Sequence, residues 1–344
     1  MNAPRQLIAA PASQRGLTLV ELMIALVLGL VVIGTAIAIF ISNKQAYLTN
    51  GAVSQIQDSS RIAFELLARD IRQAGITGCG NAGRIANVLK DGPNAGGTVN
   101  WYADFGNPIM GYDSTQSDLV LNAATITRVA GTDSIKLMGA GGEVFSLAAQ
   151  NNITSASPTI TLNESSSNLQ TGDIVLACDP DHAVIMQLSN YAAGPPPTLT
   201  YAANIGTPGN CSTILSFPTQ CTASSNYYQF GINSQVSKLS ATDWYIGQNA
   251  QNGDSLYRLT LTNQGGAAAA IAQEMVRNVK DLQINYLQSG QTSFGNATTI
   301  TNWGQVTAVQ LTLKLESTNQ RVGTDAKPLA RWLVSTVALY GRVN

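Results

Sequence analysis

Residues 16–41 read GLTLVELMIALVLGLVVIGTAIAIFI, and Glu21 is their only charge. The twenty-five residues after the glycine make a helix about 37 Å long at 1.5 Å per residue, enough to cross a hydrocarbon layer about 30 Å thick. A carboxylate at the centre of such a helix costs on the order of 2.5 to 3.5 kcal/mol, and less near the interface. Glu21 therefore calls for a partner or a use.

Three readings compete for this stretch. The first is a plain signal anchor: Arg5 and Arg15 precede the apolar run and no acid does, which holds the N-terminus in the cytoplasm. The second is a cleaved secretory signal peptide, which has an apolar core of about 7 to 15 residues followed by a small-x-small site. Here the run is too long, and Ala36-Ile37-Ala38 lies inside it. The third accounts for every residue. Gly16-Leu17-Thr18-Leu19-Val20-Glu21 resembles the type III signal of type IV pilins and type II secretion pseudopilins, with Leu where that family usually has Phe. The resemblance implies cleavage by a prepilin peptidase between Gly16 and Leu17, N-methylation of Leu17, and pairing of Glu21 with a terminal amine, usually a neighbouring subunit's. A carboxylate buried in an apolar bundle is tolerable when a cation and hydrogen-bond donors meet it.

Composition narrows the function classes. Charged residues are 11% of the 344 and the net charge is −1, so there is no basic surface for nucleic acid. The four cysteines, Cys79, Cys178, Cys211 and Cys221, all follow the apolar run, on the disulfide-permissive side of the membrane. They allow three pairings. The reading adopted joins Cys211 to Cys221 around CSTILSFPTQC and Cys79 to Cys178, with free buried thiols as the alternative. No C-x-x-C pair occurs, and no cofactor is expected.

After Ile41 the pattern becomes amphipathic. Ile56, Ala63, Leu67, Ile71 and Ala74 recur at helical steps, while Asp58, Arg61, Glu65, Arg69 and Arg72 fall largely elsewhere around the helix. No proline interrupts residues 17–76, which predicts one long helix with Asn50-Gly51 as its weakest point. The domain plan is a leader over 1–16, an apolar half-helix over 17–41, an amphipathic half over 42–76 and a β-rich head over 77–344. Strands are expected in residues 117–130, 133–140, 158–165, 172–179, 183–189 and 198–203, then 255–263, 279–288, 306–317 and 331–341. In AVQLTLKLE, Val309, Leu311, Leu313 and Leu315 alternate with polar residues, the period of a sheet with one face on a helix and the other in solvent. Residues 267–279, AAAAIAQEMVRNV, predict a short helix.

The fold class is thus α+β: a long N-terminal helix, membrane-spanning in its first half, packed on an antiparallel sheet with long loops. SRIAFELLARDIRQAGITGC, GDIVLACD with AVIMQ, and the closing segments NVKDLQINYL, WGQVTAVQLTL and RWLVSTVALYGRVN resemble minor pilins of the PilW kind and, at the C-terminal end, the related pseudopilin GspJ. That resemblance implies a pilin-like fold and a subunit that waits as a single-pass protein of the bacterial inner membrane. It further implies a subunit that helps prime a type IV pilus and enters the fibre near its tip. The implied partners are other minor pilins, the major pilin, the inner-membrane assembly platform and a tip adhesin, and the outputs that go with such fibres are adhesion and twitching motility. The alternatives are a GspJ-like pseudopilin and a membrane-anchored extracellular binding module or enzyme.

Chemistry is sparse. The one histidine, His182, sits in CDPDHAV without a G-x-S-x-G elbow elsewhere, so a turn is favoured over a cation site with Asp179 and Asp181. GAGGEV at residues 139–144 lacks the Lys and Ser/Thr of a phosphate loop and is read as a hairpin turn. GPPPT at residues 194–198 is read as a stiff loop. Trp101, Tyr102, Trp244 and Tyr245 fit either a core or a contact surface. No turnover is expected.

Overall fold

The computed structural model describes residues 16, 18–80, 83–222, 225–319, 321–323 and 327–340; the leader before Gly16, and Leu17, lie outside the described residues. One helix, α1 (Leu19–Gln73), runs unbroken for 55 residues, about 82 Å. Asn50-Gly51 does not break it. Two different environments hold it. From Leu19 to Lys44 every residue is exposed, whereas farther on Ala52, Ile56, Ala63, Leu67 and Ile71 are buried in a stripe at steps of four and seven.

α1 ends three residues before the expected Ile76. Ala74 N–H bonds Ile71 O, and Gly75, at φ +80, turns the chain so that its N–H reaches Met138 O at 2.8 Å. Ile76 O then accepts from Ala140 N at 2.8 Å. Of the glycines in residues 139–144, Gly139 serves this crossing, and the segment does not form the expected hairpin turn. It lies within one strand, whose register against its neighbour shifts between Ala140 and Val144. A Cβ on Gly139 would stand 2.4 Å from Gln73 O, so only glycine lets the helix end approach there.

The head is built from β1 (Ile85–Asn87), β2 (Ile109–Tyr112), β3 (Ser134–Asn151), β4 (Thr159–Leu162), β5 (Ile174–Cys178), β6 (Ala183–Gln187), β7 (Asn190–Ala192), β8 (Thr198–Thr200), β9 (Gln235–Gln248), β10 (Asp254–Gln264), β11 (Ala267–Arg277), β12 (Val279–Gln288), β13 (Val306–Glu316) and β14 (Ala330–Ala338). The first eleven form one sheet whose main path is β1-β6-β5-β9-β3-β4-β8-β7. β9 has β3 on one side, with β5 and then β10 on the other. Only β1 and β6 pair in parallel among these ladders.

β12, β13 and β14 form the second, antiparallel sheet. Val309, Leu311, Leu313 and Leu315 are fully buried in the cluster that includes Ile56, Leu67 and Ile71 of α1. The alternation in the sequence is therefore the seam between sheet and helix.

Two further expectations fail. Residues 267–279 form no helix: β11 pairs with β10 almost residue for residue, Ala272 facing Leu259 and Ala268 facing Asn263. Alanine favours helix intrinsically, but a cross-strand partner overrides a propensity of a few tenths of a kcal/mol per residue. Residues 117–130 form no strand either. Asp118 Oδ1 accepts from Val120 N at 2.9 Å and starts a 3-10 turn over Val120–Ala123, while the Arg128 guanidinium bonds the carbonyls of Tyr112 and Gln116. Local polar bonds consume the groups that a ladder would use.

Both expected disulfides are present, Cys79–Cys178 across 99 residues and Cys211–Cys221 across 10. The first ties the end of α1 to β5. The second closes a loop over the turn between β5 and β6, where His182 lies.

Candidate functional site

The N-terminal end of α1 is organised by Thr18 and Glu21. Thr18 is the cap: its hydroxyl accepts from Glu21 N at 3.3 Å, and its own N–H and hydroxyl each lie 3.0 Å from Glu21 Oε2 and donate to it. This reciprocal box satisfies groups that a helix start leaves open. T-x-x-E at residues 18–21 was the available signal for it. Glu21 thus has donors inside its own chain, and its side chain remains on the surface. Leu17 lies outside the described residues, so no distance to it is given.

Beyond Glu21 the rod has no cover. Leu22, Met23, Ile24, Leu26, Val27, Leu30, Ile33, Ile37, Ile39 and Phe40 are each more than half exposed. Fully burying one such side chain is worth about 1.5 to 3 kcal/mol, so this surface requires lipid or other apolar helices. Among the described residues α1 is the one helix long and apolar enough to cross a membrane.

The head grips the rod just past its apolar part. Gln45 Nε2 and Thr49 Oγ1 donate to Val322 O at 2.8 and 3.2 Å, and Gln55 Nε2 to Thr318 Oγ1 at 2.5 Å. These contacts come from the segment joining β13 to β14. At the far end Asp70, 8% exposed, accepts from Trp244 Nε1 at 3.0 Å and stands 3.0 Å from Arg258 Nε. Asp70 binds α1 to β9 and β10. Sequence periodicity could not single it out, because its partners are more than 170 residues away in the chain.

Several aromatic and titratable residues of the head are internal. Tyr102, Trp244 and Tyr245 are buried and Trp101 is half-buried, so these aromatics are core. Asp243 is fully buried on β9 opposite Lys136 of β3; burial, then the neighbouring Asp118 carboxylate, push it well above the usual carboxylate range. Burial also raises Asp118 and lowers Lys136. Asp133 is pushed up to about 6 by burial, although Ile284 N–H donates to it. Among the described residues no three His, Cys, Asp or Glu side chains are grouped to hold a metal. Asp179 and Asp181 shape the turn at His182, as Asp179 Oδ1 accepts from the backbone N–H of both Asp181 and His182.

A capped, uncovered apolar rod joined through an amphipathic half to a two-sheet head defines a pilin-like protein. A family model described as Prokaryotic N-terminal methylation motif matches residues 11–37, and one described as Type IV Pilus-assembly protein W matches residues 243–341. No curated protein matches the chain. The second match runs from Asp243 in β9 through β14, so it holds the Arg258 end of the helix junction and the whole second sheet. With its prepilin-type N-terminus and PilW domain, this chain is a minor pilin of a type IV pilus, anchored in a membrane by α1 before it joins the fibre.

Proposed function

We propose that this minor pilin helps prime pilus assembly and is incorporated near the fibre tip. The observation that carries the proposal is the uncovered half of α1: a rod from Leu19 to Lys44 with no buried residue and a single acid, already capped. Such a rod is stable in lipid and equally so in a bundle of like helices, so transfer between the two needs little net apolar driving force. Register must come from a polar pair.

In this reading the subunit is a single-pass protein of the bacterial inner membrane with its N-terminus in the cytoplasm. A prepilin peptidase cuts between Gly16 and Leu17, and the new Leu17 amine is methylated. In the fibre the Glu21 carboxylate exchanges its Thr18 donors for a terminal amine, fixing the axial position of each helix. Other minor pilins, the major pilin, the assembly platform and a tip adhesin are the partners. The role asks for no catalysis.

The test is a strain carrying Glu21→Ala beside one carrying Gly16→Ala. The Glu21 variant is expected to lose its leader normally but to be missing from sheared fibres, and the Gly16 variant to accumulate uncleaved in the membrane. Fibres containing the Glu21→Ala chain at the normal level would refute the register role.

A further inference from the structure

His182 belongs to neither the rod nor its junction, yet it is 1% exposed and both ring nitrogens are engaged. Nδ1 lies 2.8 Å from Asp181 Oδ2 and Nε2 lies 2.7 Å from the backbone oxygen of Leu215. Each neighbour is an acceptor. A neutral imidazole has one N–H, whereas the imidazolium has two, so only the charged ring satisfies both contacts. Leu215 lies at the middle of the loop closed by Cys211 and Cys221, and that loop contains no charged residue.

Asp181 extends the arrangement. Its other oxygen meets Arg84 at 3.2 Å, and the Arg84 guanidinium lies over the Phe217 ring at 5.3 Å. Phe217 is 38% exposed and belongs to the same loop. The loop is therefore gripped twice, by His182 at Leu215 and by Arg84 at Phe217, and Asp181 joins the two grips. Around the ring Tyr228 packs edge-on at 4.3 Å and Phe230 at 5.7 Å. Tyr228 donates to Asp179 at 2.6 Å; burial, then that bond, raise its phenol well above the ordinary value, so it keeps its proton. The charged and titratable groups facing His182 are thus Asp179 and Asp181 from the β5–β6 turn, Arg84 from the segment before β1, and Tyr228.

We infer that His182 is a proton-gated latch on the Cys211–Cys221 loop: its imidazolium holds the loop closed, and loss of the proton releases the centre of the loop with the exposed Phe217. The sign follows from the donor count. Acid keeps both bonds, and alkaline solution removes one. If Nδ1 loses its proton, two lone pairs face each other at Asp181; if Nε2 does, the Leu215 carbonyl loses its donor.

The chain has a single histidine, so its ring signals need no assignment. The experiment uses the full chain in detergent with disulfides intact, labelled with 15N-histidine. Ring nitrogen shifts are read from pH 5 to pH 9, alongside hydrogen exchange of the loop peptide corrected for intrinsic rates. The expected result is an imidazolium at pH 5 and about tenfold weaker loop protection at pH 9, the weight of one hydrogen bond to a charged donor. His182→Gln should remove the pH dependence. Asp181→Asn, which removes the negative charge beside Nδ1 and Arg84, should weaken loop protection at pH 5 toward its pH 9 level. A neutral ring at pH 5, loop protection that ignores pH in the native chain, or the same pH dependence in His182→Gln would overturn the latch.

Discussion

Replacing Asp70 by asparagine and by alanine probes the joint that makes rod and head one body. Asp70 accepts the indole N–H of Trp244 at 3.0 Å and faces the Arg258 guanidinium at 3.0 Å; the Arg69 contact, at 3.6 Å from a 58% exposed side chain, adds little. Alanine leaves an uncompensated cation, 19% exposed, and an unpaired buried N–H. Losing one partner of a buried pair costs about 3 to 5 kcal/mol. Partial solvent access at Arg258 favours the lower end, and the indole adds about 1 kcal/mol, so we expect about 4 kcal/mol. Asparagine keeps an acceptor for Trp244 and loses only the charge, for about 2 kcal/mol. At about 2 to 4 °C per kcal/mol for a domain of this size, Asp70→Ala should melt about 8 to 16 °C lower and Asp70→Asn about half as far. Thermal unfolding of the full chain in detergent, followed by tryptophan fluorescence, measures both. Two variants that melt like the native protein, or an asparagine variant worse than alanine, would show that Asp70 does not carry the joint.

Three further perturbations test separate parts of the structure. Removing the Cys79–Cys178 bond, which spans 99 residues, should cost about 4.7 kcal/mol by chain entropy, and removing Cys211–Cys221, which spans 10, about 2.7 kcal/mol; melting of the two double-alanine variants should differ by several degrees, and equal losses would contradict the loop-length argument. Asp133, 4% exposed and raised to about 6 by burial, holds its proton in the folded state at pH values where the unfolded chain has lost it. The fold therefore gives up stability as pH rises from about 4 to about 6, by about 3 kcal/mol, or about 2 after allowing for solvent screening. Asp133→Asn should gain on the native chain by that amount between pH 4 and pH 7 in denaturant titrations, and a pH-independent difference would refute it. Gly139→Ala should destabilise by at least about 1 to 3 kcal/mol through its clash with Gln73 O, while Gly142→Ala, with nothing within 4 Å of the added Cβ, should be neutral; equal melting of the two would contradict the close crossing of α1 over β3.

The legible parts of the fold were those whose signal is local and periodic. Ile56, Ala63, Leu67 and Ile71 announced the buried stripe of α1, and Val309 to Leu315 announced the strand that covers it. The alanine run of β11 misled because an edge strand of small side chains carries no alternation, and its partner β10 is a tertiary fact. The glycine density of residues 139–144 reads locally as a hairpin turn, whereas Gly139 makes room for the end of a helix more than sixty residues earlier in the chain. Asp70, Asp243 and the double engagement of His182 depend on partners brought together by folding. At the rod the situation reverses, since Thr18 and Glu21 are three residues apart and their box is written in the sequence.

The central claim is that α1 loses its leader but keeps its apolar half as the handle for assembly, and N-terminal peptide mapping of the chain recovered from sheared, purified fibres tests it most directly. The account predicts a first residue of Leu17 bearing a methylated amine, with residues 19–44 intact behind it. A chain that starts at Met1, one cut after the apolar run, or complete absence of the chain from the fibres would contradict it.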